Sequence, residues 1–398
     1  MSDTRNRSPR VSLHQLIKEN IRSYSMFIML GLIFVVFSIL TGGVNFSPRN
    51  ISNIFMQNSY ILILAAGMVL VIIVGNIDLS VGSIAAFTGA IAAMIYNTGV
   101  GLPLTVIGTM AVGVGIGFFQ GFWIAFAKIP AFIVTLAGML LFRGLTYVIT
   151  NVSPIALRDD GFRQITSGFI TLEALHIGRV HYFAWLLGGI CSLVWVLMAL
   201  GERRGKIKKG FEILPLPIFF MKSFFVVGMI LLLSWKFAEF RGVPVIVVVL
   251  AVVVGVFTFI TRRTVIGRYI YAVGGNAKSA KLSGINSEMV IFVVHTIMGM
   301  LSGLAGLVFA GYMNSALPQA GQLFELDAIA ACFIGGASAS GGIGTIVGAI
   351  IGGLVMGVIN NGMSLMNIGA DWQYVVKALV LLLAVFYDIY TRRKAGLA

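Results

Sequence analysis

Twelve apolar runs divide this chain, at roughly 25–41, 58–75, 81–96, 103–126, 131–149, 182–200, 218–235, 243–260, 288–311, 326–338, 343–361 and 372–390. Most could cross about 30 Å of hydrocarbon as a helix. They are continuous rather than alternating, which predicts helices and not the strands of a barrel. Two stretches are interrupted. Residues 58–96 break at Gly75-Asn76-Ile77-Asp78, and 326–361 break at Gly335-Gly336 and Gly341-Gly342. Such breaks read as broken or re-entrant helices. The pattern therefore predicts an all-α, polytopic integral membrane protein with about ten to twelve transmembrane helices. The interrupted regions also share a weak internal likeness. Gly75, Gly82 and Gly89 precede Ala90, and Gly336, Gly342 and Gly348 precede Ala349. Corresponding Gly-broken segments point to a transport pathway; chance recurrence in a chain with 48 glycines is the competing explanation. Glycines four apart (Gly113, Gly117 and Gly121; Gly299 and Gly303; Gly348 and Gly352; Gly353 and Gly357) need nothing beyond close helix packing.

One polar segment between two runs has defined ends. Asn276 is suited to an N-cap, Ala277-Lys278-Ser279-Ala280-Lys281-Leu282-Ser283 make two turns, and Gly284 suits the C′ position with Ile285 folding back on Ala280. A loop that only crossed water would need no such caps. Ala277, Ala280 and Gly284 would form a small-residue face for close approach by another protein. The segment reads as a handle by which a cytoplasmic partner moves the membrane part.

Composition agrees with the pattern. Hydrophobic residues make up 58% of the 398, charged residues 11%, and mean hydropathy is +0.98. Lipid is therefore the solvent on most faces. The net charge of +14 invites a nucleic-acid reading, but its placement argues otherwise. Eighteen of the 28 Lys and Arg fall in four clusters: before Tyr24, between Arg203 and Lys209, between Arg262 and Lys281, and at Arg392, Arg393 and Lys394. All are tails or loops, which the positive-inside rule assigns to the cytoplasm. Twelve crossings return both termini there. The charge reports topology and contact with membrane lipid, not nucleic acid. Cys191 and Cys332 sit in apolar surroundings, which disfavours a disulfide. The apolar run from Met26 is too long for a cleavable leader. The 151–181 loop is mixed in charge and reads as a solvated loop, though it could also dock an external protein.

No catalytic or metal constellation emerges. His14, His176 and His181 lie in a tail or loop, His295 stands alone in an apolar span, and no pair has ligand spacing. Gly274-Gly275-Asn276-Ala277-Lys278-Ser279 fails as a phosphate loop because Ala277 precedes Lys278 and no strand leads into it. Ionisable residues at membrane depth are Asp78, Arg143, Asp327 and Lys377, with Glu325 near a span end. Asp78 sits at a break and Asp327 at the start of the other interrupted region, where capping a half-helix is favoured over proton relay. Polar and aromatic candidates for a pathway lining are Asn76, Asp78, Gln120, Trp123, Asn360, Asn361 and Trp372. Helix-gluing Asn and interfacial Trp explain them equally well.

Four segments carry a family resemblance: NIDLSVGS (Asn76 to Ser83), KIPAFIVTLAGMLLFRG (Lys128 to Gly144), GRYIYAVGGNAKSAKLSGIN (Gly267 to Asn286) and ELDAIAACFIGGASASGGIGTIVGAIIGGLVMGVINNGMSLM (Glu325 to Met366). The chain resembles permeases of ribose-type sugar ABC importers (carbohydrate uptake class 2). It is nearest to the xylose and multiple-monosaccharide branch. The family usually has Glu where this chain has Asn76, which removes a charge from the break. The stretch from Gly201 to Phe240 resembles the longer xylose-type members.

The resemblance implies a type II-like ABC importer membrane domain at 24–390, with a cytoplasmic coupling loop at 261–287 and basic cytoplasmic tails at 1–23 and 391–398. It implies a multi-pass protein of the bacterial inner membrane that is not itself an enzyme. ATP and Mg would bind a partner ATPase dimer, and this chain would carry no cofactor. A periplasmic or extracellular sugar-binding protein would deliver substrate. A second permease subunit, expected to be another copy of this chain, would complete the pathway. Gly267, Arg268, Gly274, Gly275, Asn276, Ala277, Ala280, Leu282 and Gly284 would serve ATPase coupling, the glycines by setting backbone shape. A proton-coupled secondary transporter is the alternative, with Asp78 as its discriminator; a membrane-embedded enzyme is disfavoured.

Overall fold

The structure, a computed structural model, describes residues 13–172, 176–177, 180–211 and 215–394. Residues 1–12 and 395–398, with Glu173 and Arg179, lie outside the described residues, so the basic tails are described only in part.

Every apolar run of the sequence is a helix. In chain order these are α1 (Leu13–Leu40), α2 (Pro48–Ile73), α3 (Val81–Asn97), α4 (Leu102–Ala125), α5 (Ala131–Thr150), α7 (Tyr182–Lys208), α8 (Leu216–Ala238), α9 (Val245–Arg263), α12 (Ser287–Met313), α13 (Phe324–Ile334), α14 (Ile346–Leu365) and α15 (Ala370–Lys394). A single turn, α6 (Gln164–Ser167), lies in the 151–181 loop, and two short helices, α10 (Val265–Gly275) and α11 (Ala277–Leu282), link α9 to α12. By length and composition α2, α4, α5, α7, α8, α9, α12 and α14 can each cross a membrane. α3 and the apolar part of α1, Met26–Leu40, are shorter. The expectation of ten to twelve spans, some broken, agrees with this arrangement.

Two helices form the centre. α2 and α12 are buried along most of their length, and α3, α4, α13 and α14 pack around them. Between membrane helices, packing depends on how closely backbones approach. The glycine rows supply that approach. Gly113 meets Gly299, Gly117 meets the His295–Thr296 backbone, and Gly121 meets Phe292, so α4 lies directly on α12. On the other side, Gly89 of α3 meets Gly306 of α12. A buried amide clasp adds a second tie: Asn50 of α2 and Asn361 of α14 exchange hydrogen bonds of 2.8 and 3.0 Å, with Asn45 and Gln57 attached. α7 and α8 form a peripheral hairpin whose side chains mostly face outward.

Loops at one end are laced by three two-stranded ladders. β1 (Ile155–Ala156) pairs with β6 (Ser315–Ala316), β2 (Phe169–Ile170) with β5 (Val243–Pro244), and β3 (His176–Ile177) with β4 (Val180–His181). The Tyr96 hydroxyl donates to Asp159 there and holds that carboxyl below its ordinary range. The described part of the 151–181 loop is thus tied to its neighbours while much of it, including 151–154, 158–160 and 163–164, stays exposed. The opposite end carries Arg203–Lys209, Arg262, Arg263, Arg268, Lys278 and Lys281, on α7, α9, α10 and α11. Cys191 and Cys332 are both free thiols.

Candidate functional site

Three helices stop by the same device. α2 ends with Gly75 at φ +82°, α11 with Gly284 at +83° and α13 with Gly336 at +83°. After each, the following amide reaches back one turn: Asn76 to the Val71 carbonyl at 3.0 Å, Ile285 to Ala280 at 3.0 Å, and Ala337 to Cys332 at 2.9 Å. This double-bonded stop needs a left-handed residue, which glycine adopts without strain. The internal likeness of the two broken regions gives Gly75 and Gly336 the same role.

α11 has the caps its sequence requires. The Asn276 side chain accepts from the Ser279 amide at 3.0 Å, and the Gly284 amide donates to Lys281 at 3.0 Å. Its surface differs from the expected one. Ala280 is only 5% exposed and turns into its own chain, so Ala277, Ala280 and Gly284 do not share a free face. Leu282 projects instead, 90% exposed, beside the Lys281–Glu288 ion pair at 2.8 Å.

Nor is α11 isolated in a loop, because α10 leads directly into it. The signal for α10 was in the sequence: Thr264 caps it by accepting from Gly267, and Ile270 and Val273 recur at helical spacing on its buried side. The terminal Gly274-Gly275 pair masked it. Four coupling glycines were expected to set backbone shape, but only Gly284 has positive φ. Gly267 and Gly274 permit contact instead. A Cβ on Gly267 would strike the Ile260 and Thr261 carbonyls at the end of α9, and one on Gly274 would overlap the Ile73 carbonyl. Gly275 faces open space, and Arg268 is exposed.

Gly274 lies at a junction of three backbones. The Gly342 amide donates to the Ile73 carbonyl at 2.8 Å, Gly341 and Gly342 abut Gly274 and Gly275, and the Tyr271 hydroxyl donates to the Gly344 carbonyl at 2.7 Å. The α10–α11 unit therefore sits on the end of α2 and on the loop joining α13 to α14. Both broken regions are touched by one short stretch of chain.

Beyond Ile73 lies a buried polar cluster. Asp78 accepts the Ser80 amide at 2.8 Å and the Ser80 hydroxyl at 2.6 Å, just ahead of α3. It secures the residue that starts the half-helix rather than capping the first turn itself. The Gln120 amide of α4 donates to the Ser80 hydroxyl at 2.9 Å, and Gly138 of α5 leaves room for it. His295 is not alone, contrary to the sequence reading. Its Nε2 lies 3.3 Å from the Asn76 amide, and its Nδ1, 3.9 Å from Asp78, makes no hydrogen bond. Asn76, Asp78 and Gln120 are thus brought together, joined by Ser80 and His295. The other lining candidates lie elsewhere. Trp123 is 39% exposed among Phe119 and Phe122, Asn361 belongs to the amide clasp, Asn360 sits beside it on α14, and Trp372 is exposed on α15. Lys377 and Asp327 pair with each other at 2.9 Å, tying α15 to α13. Among the described residues no group of His, Cys, Asp and Glu could hold a metal ion.

Comparison with known proteins gives one family and several relatives. The profile of the branched-chain amino acid transport system permease component matches residues 50–385. The xylose transport system permease protein of Haemophilus influenzae is 40% identical over 387 residues, covering 96% of this chain and all of that protein. That of Escherichia coli K12 is 38% identical, covering 94% of both chains, and the ribose import permease protein of Escherichia coli K12 is 36% identical, covering 86% of both. No solved structure matches.

Proposed function

Because the chain belongs to the branched-chain amino acid transport system permease component family, we propose that it is the membrane-spanning permease subunit of an ATP-driven monosaccharide importer. Relatives named for xylose and ribose, 36–40% identical over most of the chain, support a sugar cargo. It is a multi-pass membrane protein of the bacterial inner-membrane type. With the basic end facing the cytoplasm, α11 faces a separate ATPase and the laced end faces a sugar-binding protein. A second permease copy completes the unit.

One observation carries the coupling. α11 is capped at both ends, presents Leu282 outward, and is backed by α10 on the glycine junction. An apolar side chain held rigidly at a basic, water-facing end suits a groove on a partner protein. When that partner opens and closes on ATP, motion of α11 passes through Gly274 to Ile73 and Gly342, and so to both breaks. ATP biases a two-state membrane element without binding to this chain.

The test is Leu282→Asp beside Gly284→Val, in membranes that also hold the candidate ATPase and binding protein. Both variants are expected to reach the membrane, to lose at least ten-fold in ATP-driven xylose uptake, and to lose co-purification of the ATPase. Wild-type uptake by both would refute the coupling role. The Asp78–His295 pair is what a proton-driven carrier would use, and that rival requires uptake without ATP that Asp78→Asn abolishes.

A further inference from the structure

After α12 the chain folds back into the bundle through residues 314–323 before α13 begins. Gly321, at φ +75°, presses so closely on Gly82 of α3 that a Cβ on either would overlap the other's carbonyl. Leu323 follows in the left-handed region at φ +61°. Arg143 of α5 donates to the Ala320 carbonyl and pins this turn. Beside the turn lies an open cleft of about 460 Å³ lined by Arg143, Gln322, Glu325, Tyr374, Leu140 and Leu323. Arg143 is seven residues from the end of α5 at Thr150, on the order of 10 Å inside the laced end at helical rise. None of these polar side chains belongs to the Asp78 cluster or the Lys377–Asp327 pair.

Ionisable groups at this depth are costly and are retained where they pair or face a water-filled path. Arg143 has five N–H donors, of which Ala320 takes one. Glu325 is 91% buried and offers carboxylate acceptors. The Gln322 amide and Tyr374 hydroxyl, on the exposed side, each donate and accept. Arg143 and Glu325 bring one basic and one acidic group to the lining. Leu140 and Leu323, 67% and 39% exposed, supply apolar contact beside these groups. A mainly apolar lining with a few hydrogen-bonding side chains can meet both the C–H faces and the hydroxyls of a polyhydroxy molecule.

We propose that this cleft is a sugar-contacting site in the outer part of the pathway, in which Gln322 and Tyr374 read hydroxyl positions and Arg143 with Glu325 fixes the turn that presents them. The proposal rests on the importer reading and adds selectivity within the permease itself.

The experiment uses the permease reconstituted with its ATPase and binding protein, and measures radiolabelled xylose uptake, competition by ribose, galactose and leucine, and ATP hydrolysis. Wild type is compared with Gln322→Leu and Tyr374→Phe, both at exposed positions. Because the binding protein is constant, any change in competitor order belongs to the permease. Gln322→Leu is expected to cut uptake about ten-fold, the loss of about 1.4 kcal/mol, with Tyr374→Phe showing a smaller loss. Competitor order should change in both, with ATP hydrolysis retained. Unchanged rate and order in both variants would overturn the site while leaving the importer reading intact. Wild type carrying leucine and not xylose would overturn the importer reading and the sugar assignment together.

Discussion

Gly274 and Gly275 are neighbours of one type in one helix, yet their surroundings separate them. A Cβ on Gly274 meets the Ile73 carbonyl and the Gly342 amide, whereas one on Gly275 meets nothing. Gly274→Val is therefore expected to destabilise the junction by about 2–3 kcal/mol, as overpacking does, and to abolish ATP-driven uptake. Gly275→Ala has no positive φ to violate and should stay within about 1 kcal/mol of wild type. Thermal unfolding in detergent and vesicle uptake check both; equal effects would contradict the junction. The sequence marked both residues but could not rank them, because close approach depends on which carbonyl arrives from 200 residues away. Gly284 was legible, since its C′ role needs only its own neighbours. Ala280 was misread for the converse reason: the caps fixed the helix, but its rotation about its axis is set by α12.

Among elements, broken helices account for most of the polar chemistry. α3 and α13 start inside the bundle; Asp78 lies three residues ahead of α3, and Asp327 lies in the first turn of α13. Asp78 holds Ser80 and Asp327 pairs with Lys377, but neither carboxylate caps the first turn of its half-helix, so the capping role expected from sequence is replaced by these side-chain ties. The Asp327–Lys377 pair is only 13% and 23% exposed, so breaking one side leaves a charge poorly solvated. Lys377→Met is expected to cost about 2–3 kcal/mol, less than the roughly 3–5 kcal/mol of a fully buried pair because this one is partly exposed. The double variant Lys377→Met with Asp327→Leu should recover most of that loss. Detergent thermal unfolding of the three proteins measures it, and a double variant no more stable than the single would refute the pairing argument. Apolar runs located every span because continuous hydrophobicity is a local signal. α10 was missed because its two terminal glycines look like loop, and the partners that hold it helical lie at Ile73 and Gly344.

In the whole molecule, two differently built ends face each other across one core. One is laced by short ladders and holds the cleft at Arg143 and Gln322. The other carries the basic clusters and α11. Force applied at Leu282 has a continuous packed route through α10 to the ends of α2 and of the α13–α14 loop. From there it reaches the Asp78 cluster on one side and α13, whose first turn borders the cleft, on the other. The peripheral α7–α8 hairpin lies outside this route. The most direct test of the route's origin is a photo-crosslinking residue placed at Leu282 in native membranes, with Leu197 on the exposed face of α7 as control. The account predicts that Leu282 forms an adduct with the ATPase, that Leu197 does not, and that Gly284→Val removes the adduct. Active uptake with no ATPase adduct at Leu282 would contradict it.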